Sequence, residues 1–572
     1  MFLQRRCLLC CCSFHKCFRC QVMGELKKSE AIFLAFGTKG DVLPVAEVAA
    51  ALAQKSPNLV ITFITHAAHE LLRKGLTLAG IAFIPISSPP VLSQWGSQNG
   101  NDLQPGNTNG EMLFYCEALK TSLDQHHREE LTQVVDEVLN SAQNRCHSFI
   151  AINFFALEGW HLAELYSMQC VVVAPYIVPY SAPTSFERLF RTFHPLLYKR
   201  LKQASLAEVG WGDVMHWMWP LFTDRWTEWR VKHLGLAACP LTDPVTELPI
   251  VYRWPRAPLV LYGVSPEVVE CPAYWPPSVH LCGFWYSQKR WDSFEGDNSS
   301  NELNLQDTLR KEGVPSKTGM QNDPPHSTHL IEYLSNRDVS DNPIFVGLSS
   351  IGSMGFLENP EGLLKVLDSV LQAASKRAIL FTDGYQPLDA AVVSAAEHPG
   401  SYLSAGSASK SDNAQAIGAK EANASTTTEE ARIMLLNDSL TICDDRLFCY
   451  SGFIPYSSIF SKCALVLHHG GSGTTAAALH AGIPQVICPF FHDQFYWADR
   501  MAWIGVSPKP LKPQHLMPST LEGFEKGVGA LLSAIREAST REMQSHAAEI
   551  AEKLRSEDGI GNAVCLLLEE FC

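Results

Sequence analysis

Three short apolar runs near the start of the chain, AIFLAF (31–36), LVITFIT (59–65) and IAFIPI (81–86), are separated by stretches of helical spacing. The first separator, LPVAEVAAALAQ (43–54), carries helix-forming residues, and its Pro44 is tolerable in a first turn. The second, 67–75, ends at Gly75. Fully apolar runs of strand length suit a sheet buried on both faces, and their alternation with helices demands a parallel sheet with crossover connections. SFIAIN (148–153) and CVVVA (170–174) continue the series. A second alternating block begins at PIFVGL (343–348) and runs through a helix at 361–375, RAILFT (377–382), a strand at 464–467, a helix at 474–481 and a strand at 485–488. Helical patterns at 519–537 and 539–555 close the chain. At 572 residues the chain exceeds one ordinary core. The expectation is an α/β protein with two parallel-sheet domains.

The segments between these blocks set the expected boundaries. Residues 1–28 are a Cys-rich extension expected to be disordered, and 29–286 a first domain. Residues 287–342 form a polar linker, 343–537 a second domain, and 538–572 a helical segment. The low-complexity stretch 398–430 interrupts the second domain and 87–110 forms a long polar loop. Six of the 18 cysteines lie in the first 20 residues. Cys7-x-x-Cys10 and Cys17-x-x-Cys20 are separated by six residues, shorter than the usual zinc-ribbon spacing, so no metal site is expected there. Acylation beside Arg5, Arg6 and Lys16 is the other functional reading of this extension, and Met23 offers an alternative start. The other twelve cysteines sit in apolar segments, as expected of small core residues in a reducing compartment. No apolar run approaches the ~20 residues needed to span a bilayer, and no signal peptide is read. A cytoplasmic location is therefore expected, with peripheral contact at membranes as its accompaniment. The formal charge is −14, which argues against nucleic acid as the main partner.

Four loops at strand ends carry unusual residues. FGTKGDVLP (36–44) opens a helix after the first strand, with Gly40 and Asp41 in the turn. Asp41 can cap the helix, or it can face a cleft as a carboxylate base. The loop is neither a dinucleotide fingerprint nor a Walker A motif. GLSSIGS (347–353) offers small residues and hydroxyls suited to an anion or a tight turn. HHGGSGTT (468–475) supplies bare backbone through Gly470, Gly471 and Gly473, and hydroxyls through Ser472, Thr474 and Thr475. The positive end of the following helix points at the same place, which makes a diphosphate cradle without lysine or metal. His492-Asp493-Gln494 can hold vicinal hydroxyls of a hexose or cap the next helix. The aromatics of 186–238 (among them Phe190, Phe193, Trp211, Trp217, Trp226 and Trp229) read as core packing or as an apolar acceptor pocket.

HHGGSGTT with AGIPQVICPFFHDQ (481–494) and Trp497 resembles the donor-binding signature of the UDP-glycosyltransferase superfamily, in its sterol 3-β-glucosyltransferase branch. FGTKGDVLP and YWPPSVHLCGFWY (274–286) are similar to further segments of that branch. The resemblance implies a GT-B fold: two facing Rossmann-like domains with the active site in the interdomain cleft. It implies direct inversion at the anomeric carbon with no required cofactor or metal. By position, His468 would contact the diphosphate together with Gly470, Gly471, Ser472, Gly473 and Thr474. Asp493 and Gln494 would bind the sugar, Ser350 would lie on the phosphate loop, and Phe453 would stack on uracil. Gly40 would border the donor and Asp41 would act as the base. The sequence departs from the branch at Lys39, Leu43, Ser349 and Ser472.

The expected function is transfer of a hexose, glucose from UDP-glucose, to a hydroxyl of a sterol or similar apolar small molecule. Transfer to a phenolic or another lipid, and a non-catalytic binder of the same fold, are the alternatives.

Overall fold

The computed structural model describes residues 29–89, 109–141, 148–177, 184–205, 208–222, 224–238, 245–246, 257–271, 275–285, 330, 333–334, 342–348, 351–352, 354–382, 385–397, 440–451, 456–491 and 493–571. The N-terminal cysteines, the 287–329 part of the linker and the 398–430 insertion lie outside these residues.

The first sheet holds seven strands: β1 (Ser29–Leu34), β2 (Leu59–His66), β3 (Ala82–Ile86), β4 (Phe149–Ile152), β5 (Gln169–Ala174), β6 (Leu259–Tyr262) and β7 (Val279–Leu281). Their order is β3-β2-β1-β4-β5-β6-β7 and every pairing is parallel. Five of these strands were legible as apolar runs; β6 and β7 are short and were not expected. The second sheet holds β8 (Ile344–Gly347), β9 (Ala378–Phe381), β10 (Leu440–Ile442), β11 (Leu447–Tyr450), β12 (Leu465–His468) and β13 (Gln485–Ile487). Its order is β10-β11-β9-β8-β12-β13, parallel except for the β10–β11 hairpin. The strands β1, β4, β8 and β12 are buried throughout their lengths apart from the first two residues of β1, which is why they read as continuous apolar runs.

The larger helices are α1 (Lys39–Lys55), α2 (Leu72–Leu78), α3 (Asn109–Ser141), α4 (Glu158–Leu165), α5 (Thr184–Phe193), α6 (Pro195–Gln203), α7 (Asp224–Lys232), α8 (Pro360–Ala374), α9 (Gln386–Glu397), α10 (Ser472–Ala481), α11 (Gln494–Trp503), α12 (Leu521–Ala538), α13 (Arg541–Arg555) and α14 (Gly559–Phe571). Their starts follow capping chemistry. Asn359 accepts from Gly362 N ahead of Pro360, Thr520 accepts from Gly523 N, and Thr540 accepts from Met543 N. Helix α3 was not foreseen; Leu131, Val135 and Leu139, all buried at i, i+4 spacing, are the signal for it.

Each sheet has one place where strand order reverses: between β1 and β4 in the first, and between β8 and β12 in the second. Ligands of such sheets bind outside the carboxyl ends of the strands at that switch point. The unusual loops lie there, since FGTKGD follows β1 and HHGGSGTT leaves the end of β12. The two switch points meet: a Cβ built at Gly473 would lie 3.8 Å from the Cα of Gly40, so the first turns of α1 and α10 adjoin. This is the GT-B arrangement of two Rossmann-like domains facing across a cleft.

The aromatics of 190–229 mainly build core. Phe190, Trp211, Trp217, Trp226 and Trp229 are buried, while Trp219 is half-buried and Phe193 exposed. The buried Arg230 guanidinium holds this block to α4, donating to both carboxylate oxygens of Glu164 (2.9 and 3.0 Å) and to His161 Nδ1 (2.7 Å). Such a charge is tolerable because each face of the fork has a partner.

Helix α14 returns to the first sheet. Phe571 stacks on Phe149 with ring centroids 4.2 Å apart, and Ala563, Val564 and Leu567 join the core beneath α1. Around its start, Ser265 Oγ donates to Glu557, Trp285 Nε1 donates to Gly559 O and Asn562 Nδ2 donates to Cys282 O.

Candidate active site

The first half of the site is the turn after β1. Leu34 pairs with Ile152, so the ends of β1 and β4 lie side by side. Asn153, fully buried at the end of β4, donates through Nδ2 to Phe36 O (2.8 Å) and Asp41 O (3.2 Å), and its Oδ1 accepts from Phe36 N (3.3 Å). That amide therefore fixes the backbone on both sides of the turn. Gly37 has φ +104°, and a Cβ there would come within 2.6 Å of Asp41 Oδ2, so only glycine lets the carboxylate fold back. His69 Nε2–H donates to Gly37 O at 2.9 Å from the neighbouring strand end.

Asp41 does cap its helix. Its Oδ2 accepts from Thr38 N and Thr38 Oγ1, each at 2.7 Å. Its Oδ1 has no partner among the described residues. Burial pushes the carboxyl up to about 7; the two Thr38 bonds oppose the rise and the nearby Asp493 carboxylate adds to it. Capping thus occupies one carboxylate oxygen and leaves the other. Sequence reasoning missed Tyr176, just past β5. This residue is buried and feels both Asp41 and Asp493; its hydroxyl approaches the Phe154 backbone without a well-aligned hydrogen bond.

The second half is the turn after β12. Gly470 has φ +92°, and a Cβ there would meet Ile487 Cγ2 at 2.9 Å and Gln494 O at 3.1 Å. Ser472 is buried, whereas Gly471, Gly473 and Thr474 are partly exposed. Helix α10 opens at Ser472 and ends on Gly482 in the left-handed conformation.

The two histidines separate into different roles. His468 is completely buried, with Nδ1 accepting from Gly470 N (3.1 Å) and Nε2–H donating to Gln485 Oε1 (2.8 Å). Both ring nitrogens are used, and burial lowers its pKa to about 3, keeping it neutral. His468 therefore braces the turn from below, and the expectation that it touches a diphosphate is corrected. His469 is the partly exposed member of the pair. Its Nε2 lies 2.6 Å from the position a Gly471 Cβ would take, which places the ring against the turn. Burial holds it near 4, also neutral.

At the end of β13, Asp493 is partly exposed and its Oδ2 accepts from Trp497 Nε1 at 3.0 Å. Burial raises its pKa to about 6. Gln494 is buried, and its Oε1 accepts from Phe490 N (2.9 Å) and Phe491 N (3.3 Å), so its oxygen serves the loop. Ser350, Phe453 and His492 lie outside the described residues. The structure thus brings together Gly40, Asp41, Gly470–Thr474 and Asp493, and sets the His469 ring against the turn.

Residues 446–553 match the family described as erythromycin biosynthesis protein CIII-like, C-terminal domain. A sterol 3-beta-glucosyltransferase of Arabidopsis thaliana (UGT80B1) is 24% identical over 547 residues, covering 94% of this chain and 68% of that protein. A second from the same plant (UGT80A2) is 22% identical and covers 94% and 64%. The chain resembles sterol 3-beta-glucosyltransferases over most of its length. The sterol 3-beta-glucosyltransferase of Debaryomyces hansenii is 24% identical, and the match takes in 93% of this chain but 26% of the yeast protein. The chain therefore spans about two thirds of these plant relatives and about a quarter of the fungal one. Among solved structures, a UDP-glucosyltransferase from Polygonum tinctorium capable of glucosylating indoxyl matches with TM-score 0.49 and 13% identity, covering 95% of this chain and 98% of that one.

Proposed function

We propose that the chain is an inverting glycosyltransferase that moves glucose from UDP-glucose to a hydroxyl of a sterol or similar apolar acceptor. The observation that carries this reading is the meeting of Asp41 with the glycine turn and Asp493 at two opposed switch points. Oδ1 of Asp41 takes the acceptor proton as the hydroxyl oxygen attacks the anomeric carbon. A base held near 7 is matched to neutral pH, and such catalysis contributes about 10²–10⁴ in rate. As the glycosidic bond to the diphosphate breaks, charge grows on the leaving oxygen. The backbone N–H groups of 471–474, the α10 dipole and His469 face that charge, an electrostatic stabilisation fixed before the reaction. Asp493 accepts from sugar hydroxyls with the oxygen not held by Trp497. This reading requires no metal or cofactor. The sterol half of it draws on the names of the relatives and on the apolar lining around Phe154, Phe155 and Tyr176.

The deciding experiment is UDP release from UDP-glucose with and without a mixed sterol and lipid extract, followed by mass analysis of the product. Extract-dependent release with a hexosylated sterol supports the proposal. Binding of UDP-glucose without stimulated release would leave a non-catalytic binder. A hexosylated phenolic or another lipid would change the acceptor and keep the chemistry.

A further inference from the structure

The hairpin of α5 and α6 differs from the rest of the surface. Its inner side is anchored: Phe190 packs on Trp211 at 5.2 Å, Tyr198 lies 4.7 Å from the same ring, and Leu197 and Leu201 are buried. Its outer side leaves Leu189 49% and Phe193 70% exposed, one helical turn apart. On the same hairpin Arg188, Arg191, Lys199, Arg200 and Lys202 are all exposed. The one acid of 187–203 is Glu187, which accepts from Tyr198 and pairs with Lys202 at 3.5 Å. Five cations against one carboxylate stand on a chain whose formal charge is −14.

We propose that this hairpin docks the protein onto an anionic lipid bilayer. Phe193 and Leu189 enter the boundary between headgroups and acyl chains, and the surrounding cations face lipid phosphates and carboxylates. Exposed apolar side chains and several arginines and lysines on one short helical hairpin are what an interfacial element requires. Nucleic acid is disfavoured as the partner by the formal charge of −14. The negative charge of the remainder confines attraction to this face. No helix among the described residues is long and apolar enough to cross a membrane, so attachment here is peripheral. The inference stands on the surface alone and survives failure of the transferase reading.

The test is co-sedimentation of the full chain with vesicles of phosphatidylcholine alone or mixed with phosphatidylserine, at low and high salt. The full chain is expected to pellet with the mixed vesicles and to be released by salt. The double variant Arg191→Glu/Lys199→Glu should lower partition at least about tenfold, since each basic side chain is worth roughly fivefold. Phe193→Ser should also lower it, with melting temperatures of all variants unchanged. Equal binding to neutral vesicles, unaltered partition of both variants, or no binding at all would overturn the assignment. Retention by an acidic protein without vesicle binding would make the face a protein-docking surface and overturn it equally.

Discussion

Replacing Asp41 by Asn separates its two roles. The carboxylate oxygen that accepts from Thr38 N and Oγ1 at 2.7 Å has a counterpart in the carboxamide oxygen, so the start of α1 survives. The proton-accepting function does not. Because the carboxyl sits at about 7, roughly half the molecules are ionised at neutral pH, and two pH units lower roughly one in a hundred. For the native protein, kcat/KM should therefore rise about tenfold per pH unit up to about 7 and then level off. Asp41→Asn should lower turnover by about 10²–10⁴, and by no less than tenfold, with UDP-glucose affinity unchanged. The stability signature has a definite sign. A carboxyl raised in the folded state from 3.8 to about 7 stabilises below about 4, and that contribution is lost as pH rises through about 7. The melting temperature of Asp41→Asn relative to the native chain should therefore improve between pH 5 and pH 8. UDP release, calorimetric donor binding and thermal melts at the two pH values measure all three. Turnover within threefold of native, with a lowered melting temperature, would show that Asp41 is only a helix cap.

Asp493 raises the Asp41 carboxyl, so Asp493→Asn should shift the acid limb of the pH–rate profile to lower pH while raising KM for the donor; an unshifted limb would show the two carboxylates to be uncoupled. His469→Ala should weaken donor binding, whereas His468→Ala should leave it intact and cost about 1–3 kcal/mol of stability by orphaning Gly470 N and Gln485; equal donor affinities in calorimetry would reject the division. Asn153→Ala removes the ties to Phe36 and Asp41, and should lower both the melting temperature and kcat while leaving donor affinity intact.

Much of this was legible in the sequence for definite physical reasons. Strands buried on both faces cannot hide, and the glycine turns betray themselves because Gly37 and Gly470 occupy conformations closed to other residues. Which of His468 and His469 is the fully buried one was not legible. Both faces of β12 are buried, so alternation cannot say which neighbour points inward; only the partners Gln485 and Gly470 decide it. Asn153 and Tyr176 follow ordinary strands, and their importance comes from neighbours far along the chain. The hydrophobic stripe of α14 announced a helix without saying which sheet it would cover.

That destination has a consequence for how the molecule comes into being. The surface formed by Phe33, Phe149 and α1 stays uncovered until residues 559–571 have been synthesised, after the whole second sheet. The first lobe therefore cannot finish folding in order of synthesis, as N-terminal units commonly do. Its apolar flank waits, open to misassociation, until the last helix arrives.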